Sequence, residues 1–120
     1  MTIELSLLVP HVPSITHEES VPDFQREMVE GMKRISKEID EIQPDAIVLV
    51  SCHWPSTFFH YVDRTAEHKG VMTAMEAPNL IKDVPYYFPG EPELGQKLAE
   101  AGIEAGLEVQ GVDDPYYVWD

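Results

Sequence analysis

Two apolar runs in this chain each end at a histidine stiffened by proline, and that repetition constrains the fold more than any other feature. Ile3-Glu4-Leu5-Ser6-Leu7-Leu8-Val9 leads into Pro10-His11-Val12-Pro13, and Ala46-Ile47-Val48-Leu49-Val50 leads into Ser51-Cys52-His53-Trp54-Pro55. Near-continuous apolar segments of this length read as strands covered on both faces, as in parallel sheets. Between them the sequence predicts one long helix. Phe24, Met28, Met32, Ile35, Ile39 and Ile42 are spaced by three or four and form a single stripe, opposite Arg26, Glu30, Lys33, Lys37 and Asp40. Ser20 and Asp23 with Pro22 read as its start, and Gln43-Pro44-Asp45 as its end, because proline lacks the donor and restrains the residue before it.

Strand, helix and strand in this order form a βαβ unit with parallel strands, whose carboxyl ends emerge at the same edge of the sheet. His11 and His53 then share that edge. Adjacent strands would place them about 4.8 Å apart and an intervening strand about 10 Å, a gap that two imidazoles close on a shared ion. A single histidine on a loop is more often a surface residue than a ligand. Two at matched strand ends, in loops stiffened by proline, shift the balance toward a metal site. Two imidazoles and a carboxylate suit a non-haem Fe(II) oxygenase, and zinc accepts the same pair with water.

His17, His60 and His68 carry no such context and read as structural or solvent-exposed. Asp113, Asp114 and Asp120 follow the last expected strand and are candidate third ligands, although turn residues or caps account for them equally well. Cys52, the sole cysteine, excludes an intrachain disulfide framework, and packing explains it better than nucleophilic chemistry.

Further along, residues 58–63 and 70–75 read as short strands separated by a charged turn at Glu67-His68-Lys69. The stretch from Glu76 to Gly90, with three prolines, reads as a loop. Glu91-Pro92-Glu93 opens a second helix with Leu94, Leu98, Ala101 and Ala105 on one side. Gly106 stops it, and Leu107–Val112 alternates as a half-buried strand. The expected fold is α/β, a mainly parallel or mixed sheet with helices on both faces and a βαβ start, in one domain over residues 1–120.

Acidic residues outnumber basic ones 22 to 8, for a formal charge of −14. Such a field repels phosphate backbones and anionic lipid, so nucleic acid and membrane are not expected partners. No run nears the roughly 18 apolar residues of a membrane span. Residues 1–13 lack a basic start and carry Glu4, which makes a poor signal peptide, so a cytoplasmic location is expected. No phosphate-cradling glycine loop or nucleophile elbow is present. The chain stops among Tyr116, Tyr117 and Trp119, aromatics that call for burial, so an oligomer, a second chain or a C-terminal half is the expected partner.

Pro10-His11-Val12-Pro13, then Gln43-Pro44-Asp45-Ala46-Ile47-Val48-Leu49-Val50-Ser51-Cys52-His53-Trp54, resembles the first half of class III extradiol ring-cleavage dioxygenases, the LigB-type catalytic subunits. Tyr86-Tyr87-Phe88-Pro89-Gly90-Glu91-Pro92-Glu93-Leu94 is similar to the loop and helix that follow in such enzymes, most closely the 2-aminophenol and catechol types. The resemblance implies that His11 and His53 bind Fe(II), that the third ligand, a glutamate, and an acid-base histidine lie in the family's second half, and that a catechol- or aminophenol-type ring is opened with O2. A non-catalytic accessory subunit of the same fold and a zinc-dependent hydrolase are the alternatives.

Overall fold

The computed structural model describes residues 2–51, 53 and 58–114. Cys52, Trp54, Pro55, Asp120 and the terminal aromatics singled out above lie outside the described residues. Two compact units are present, Met1–Val48 with Thr73–Lys82, and Leu49–Met72 with Asp83–Asp120.

In the first unit, helix α1 spans Arg26–Ile42. Met28, Met32, Ile35, Ile39 and Ile42 line its half-buried side, and the predicted polar residues are all exposed. Phe24 falls outside the stripe, in a 3-10 turn at Asp23–Gln25, and is 83% exposed. The expected cap at Ser20 is spent elsewhere, because its hydroxyl donates to the His17 carbonyl and closes a separate turn at Glu18–Ser20. The helix ends where proline demands. Gln43 turns left-handed at φ 52°, its N–H donates to the Ile39 carbonyl at 2.9 Å, and its side-chain amide donates to the Asp40 carbonyl at 2.8 Å. Lys33 bridges Glu18 and Glu30, which ties the preceding turn to the helix and raises the Lys33 ammonium above its ordinary pKa.

The second unit holds strands β1 (His60–Asp63), β2 (Glu67–Met72), β3 (Val84–Pro89) and β4 (Val109–Val112), and helix α2 (Pro92–Glu104). β1 pairs in parallel with β4, from His60 opposite Val109 to Asp63 opposite Val112. A parallel pair requires a crossover. Here α2 supplies it and packs against both strands, burying Gly95 and Ala99. The βαβ relation therefore occurs as β1–α2–β4, with an antiparallel hairpin of β2 and β3 inserted before the helix. Helices with parallel and antiparallel pairs give the chain the mixed α/β character that its sequence predicts.

Two expectations change. Residues 3–9 and 46–50 carry no strand, so the βαβ start is not formed among the described residues. A strand is defined by a partner ladder, and no described segment offers one to either run. Leu8 and Val50 are 100% and 91% exposed. Conversely, the last six residues of the predicted Glu76–Gly90 loop region before Gly90 form β3, and Glu67-His68-Lys69 begins β2 instead of turning. Gly90 N–H bonds the Ala66 carbonyl at 2.9 Å, so in this register even-numbered residues of β3 face the ladder. Pro85 and Pro89 thus fall at positions whose missing N–H points away from β2, where proline costs nothing.

Candidate functional site

His11 belongs to the first unit, and the sequence fixes its loop locally. Pro13 opens a 3-10 turn over Pro13–Ile15, with Ile15 N–H donating to the Val12 carbonyl at 3.2 Å and Thr16 Oγ1 donating to the Pro13 carbonyl at 2.8 Å. His53 belongs to the second unit, where its backbone N–H donates to Ser51 Oγ at 3.1 Å. Both histidines are exposed. Among the described residues no group of three or more His, Cys, Asp or Glu side chains is arranged to hold a metal ion.

A hydrogen-bonded polar cluster lies at the carboxyl ends of β1 and β4, in the second unit. His68, predicted to be structural or solvent-exposed, is the structural kind, 5% exposed, with Nε2 2.5 Å from Asp63 Oδ2. Asp63 Oδ1 accepts the Thr65 N–H at 3.0 Å and its hydroxyl at 2.7 Å. Thr65 Oγ1 in turn accepts the Asp114 N–H at 2.9 Å. Arg64 donates from Nη1 to Gln96 Oε1 at 2.6 Å and from Nη2 to Asp113 Oδ2 at 2.7 Å. The Asp113 carboxylate is therefore engaged with a guanidinium, which makes it a poor third ligand. His60 is exposed at the first position of β1, and the His17 carbonyl caps a turn. Neither joins this cluster.

Glycines let the surrounding elements close on this corner. A methyl group at Gly95 of α2 would overlap the Asp63 carbonyl oxygen, and one at Gly90, just past β3, would overlap that of Thr65. Both contacts are with backbone, which cannot swing aside as a side chain does. On the hairpin nearby, Glu67 meets Lys69 at 2.7 Å. Hydrogen bonding to Lys69 first, then its charge, and then the Tyr87 hydroxyl hold the Glu67 carboxyl below its usual range, and the same pairing raises Lys69.

Of this cluster the sequence singled out Asp113 and Asp114, as candidate ligands, but not their link to Asp63, Arg64, Thr65 and His68. Its signal is the pair Asp63 and His68 set five apart, which acquires meaning once Asp63 is known to end β1 and His68 to lie at the start of β2.

Residues 5–118 match the family described as the catalytic LigB subunit of aromatic ring-opening dioxygenase. The chain belongs to the LigB family. The match contains both His11 and His53. A 3,4-dihydroxyphenylacetate 2,3-dioxygenase of Escherichia coli is 29% identical over 117 residues, covering 94% of this LigB chain and 42% of the relative. A 2-aminophenol 1,6-dioxygenase beta subunit of a Pseudomonas species is 24% identical over 117 residues, covering 92% and 38%. The chain spans about two-fifths of the length of these relatives. No helix of the described residues is long and apolar enough to cross a membrane.

Proposed function

We propose that this chain is the metal-holding part of an extradiol dioxygenase, with His11 and His53 as two ligands of one Fe(II) and a catechol- or aminophenol-type ring as substrate. The observation that carries the reading is the family match across residues 5–118, which includes both proline-stiffened histidine loops. The relatives are named for opening a dihydroxyphenylacetate and an aminophenol ring, so a hydroxyl paired with an adjacent hydroxyl or amine is the shared substrate feature. The donor chemistry fits the ion in part. Two exposed imidazoles suit Fe(II), whereas the Asp63 and Asp113 carboxylates are taken by Thr65 and Arg64 and are not offered as the third donor. When bound, Fe(II) would bring O2 and the ring together.

The chain's own part is to present two imidazoles from short, hydrogen-bonded loops. Proline at 10 and 13 and the Ser51 bond to the His53 backbone restrict those loops before any ion arrives, which lowers the ordering cost of binding. The third ligand and the proton-handling group come from the part of the subunit outside these 120 residues, on the same polypeptide or a second one. The relative named as a beta subunit favours pairing with another chain.

Anaerobic titration with Fe(II), followed by calorimetry, tests the reading. The wild-type chain is expected to bind, and His11→Ala and His53→Ala are each expected to weaken binding by more than the roughly 10- to 100-fold that loss of a supporting group causes. Unchanged affinity in both variants would refute it.

A further inference from the structure

The β2–β3 hairpin has two outer edges, and one of them is closed to a further strand. The Gly90 N–H bond to the Ala66 carbonyl sets the register, so Pro85, Tyr87 and Pro89 turn their backbone outward on β3, and Glu67, Lys69 and Val71 do so on β2. Two prolines leave Tyr87 as the outward donor of β3 and block that edge. β2 keeps all three of its donors. Among the described residues no backbone group outside the hairpin bonds to them.

A lysine on an open edge ordinarily keeps a second copy away, because pairing centred on it sets like charges opposite each other. Glu67 changes that outcome. It stands on the same face of β2 as Lys69, with the carboxylate and ammonium 2.7 Å apart and both side chains exposed. In an antiparallel ladder outward residues meet outward residues, so the registers open to two copies of β2 shift by two. Centred on Lys69, the pairing opposes ammonium to ammonium, and centred on Gly70 it sets Lys69 opposite the partner's Val71. Centred on His68, it sets Glu67 opposite the partner's Lys69 and Lys69 opposite the partner's Glu67. That register alone matches every charge on the edge. Each of its two pairs exchanges two backbone bonds, and the ladder stops at Thr65, whose N–H already donates to Asp63 Oδ1 at 3.0 Å.

A chain of net charge −14 repels its own copies over most of its surface, which leaves a self-complementary run of acid and base as a favoured meeting place. We infer that the outer edge of β2 is a contact between two copies of this chain, joining two hairpins into one four-stranded antiparallel sheet with crossed Glu67–Lys69 pairs. A contact this narrow makes a weak, reversible dimer, dissociating between about 1 μM and 1 mM. It lies wholly on the hairpin and is independent of the metal site proposed above.

Sedimentation equilibrium of the 120-residue chain should show monomer and dimer exchanging in that range. Lys69→Glu and Glu67→Lys should each weaken the dimer about tenfold or more, since each sets two pairs of like charges in opposition. The first change makes the chain more acidic and the second less, so a response to net charge alone would differ in sign between them. An equal mixture of the two single variants should form a heterodimer, and the exchanged chain E67K/K69E should dimerise as the wild type does. Neither recovery is open to a misfolded hairpin. A wild-type chain still monomeric at about 1 mM overturns the inference. So does a dimer that either single variant leaves intact, or a mixture of the two variants that stays apart.

Discussion

Asp63 Oδ2 lies 2.5 Å from Nε2 of His68, joining the last residue of β1 to the second residue of β2 through a pair that solvent barely reaches. The same carboxylate accepts two further bonds from Thr65, so removing it deprives three donors at once. Asp63→Ala should lower unfolding free energy by about 2–3 kcal/mol in urea, the loss expected for buried hydrogen bonds to a charged group. Asp63→Asn, which keeps an oxygen for Thr65, should cost less. Equal effects would show that the carboxylate charge, and not its acceptor geometry, holds the corner.

Two glycine-to-alanine changes in helices should have opposite signs. A methyl group at Gly31 in α1 would meet nothing nearer than Arg34 Nη2 at 3.7 Å, so Gly31→Ala should stabilise by up to about 1 kcal/mol. Gly95→Ala in α2 gains the same propensity but drives its methyl into the Asp63 carbonyl, and should destabilise by about 1–3 kcal/mol. Thermal melts of both variants decide the matter.

Much of this architecture can be read from the chain's periodicity, and the exceptions share one cause. The stripe from Met28 to Ile42, the stop at Gln43-Pro44 and the Pro92 start of α2 are local signals, and each stands where the sequence puts it. β3 was hidden by its prolines, which look like loop formers until pairing with β2 shows that Pro85 and Pro89 face the same unbonded edge. Residues 3–9 and 46–50 read as strands because apolarity reports a wish for cover, but a ladder needs a neighbour that composition does not reveal. The histidine loops were legible as motifs. The corner around Asp63 was not, since Arg64 and Thr65 complete it through contacts 49 residues apart.

The Glu67–Lys69 pair should leave a pH and salt signature on the hairpin. Glu67 titrates below 4.5 when folded, so its contribution is present above the unfolded value and is lost as pH falls through the lower folded one. Lys69 is raised from 10.5, so its share is present below that value and lost as pH climbs past the folded one. Carbon-detected NMR titration of the Glu67 carboxyl should show the depression shrinking in about 1 M salt, because the pair is exposed. A salt-independent value would mean that the Tyr87 hydroxyl, and not the ammonium, sets it.

Given Fe(II) and catechol without air and then oxygen, the isolated 120 residues should form no yellow ring-opened product if, as proposed, they furnish only two of three iron ligands. Supplying the rest of the subunit should restore turnover. Steady colour from the 120-residue chain by itself would show that one of its own carboxylates completes the metal shell.

The insertion of the β2–β3 hairpin inside the β1–α2–β4 crossover sets an order of assembly. The hairpin closes over a short span and can form in about 1–10 μs, whereas the parallel pair must wait for a loop of 49 residues whose closure entropy is compensated only when α2 docks. Arg64 and Thr65 are therefore expected to find Asp113 and Asp114 late in folding, and amide exchange on warming should open Asp114 before the hairpin amides.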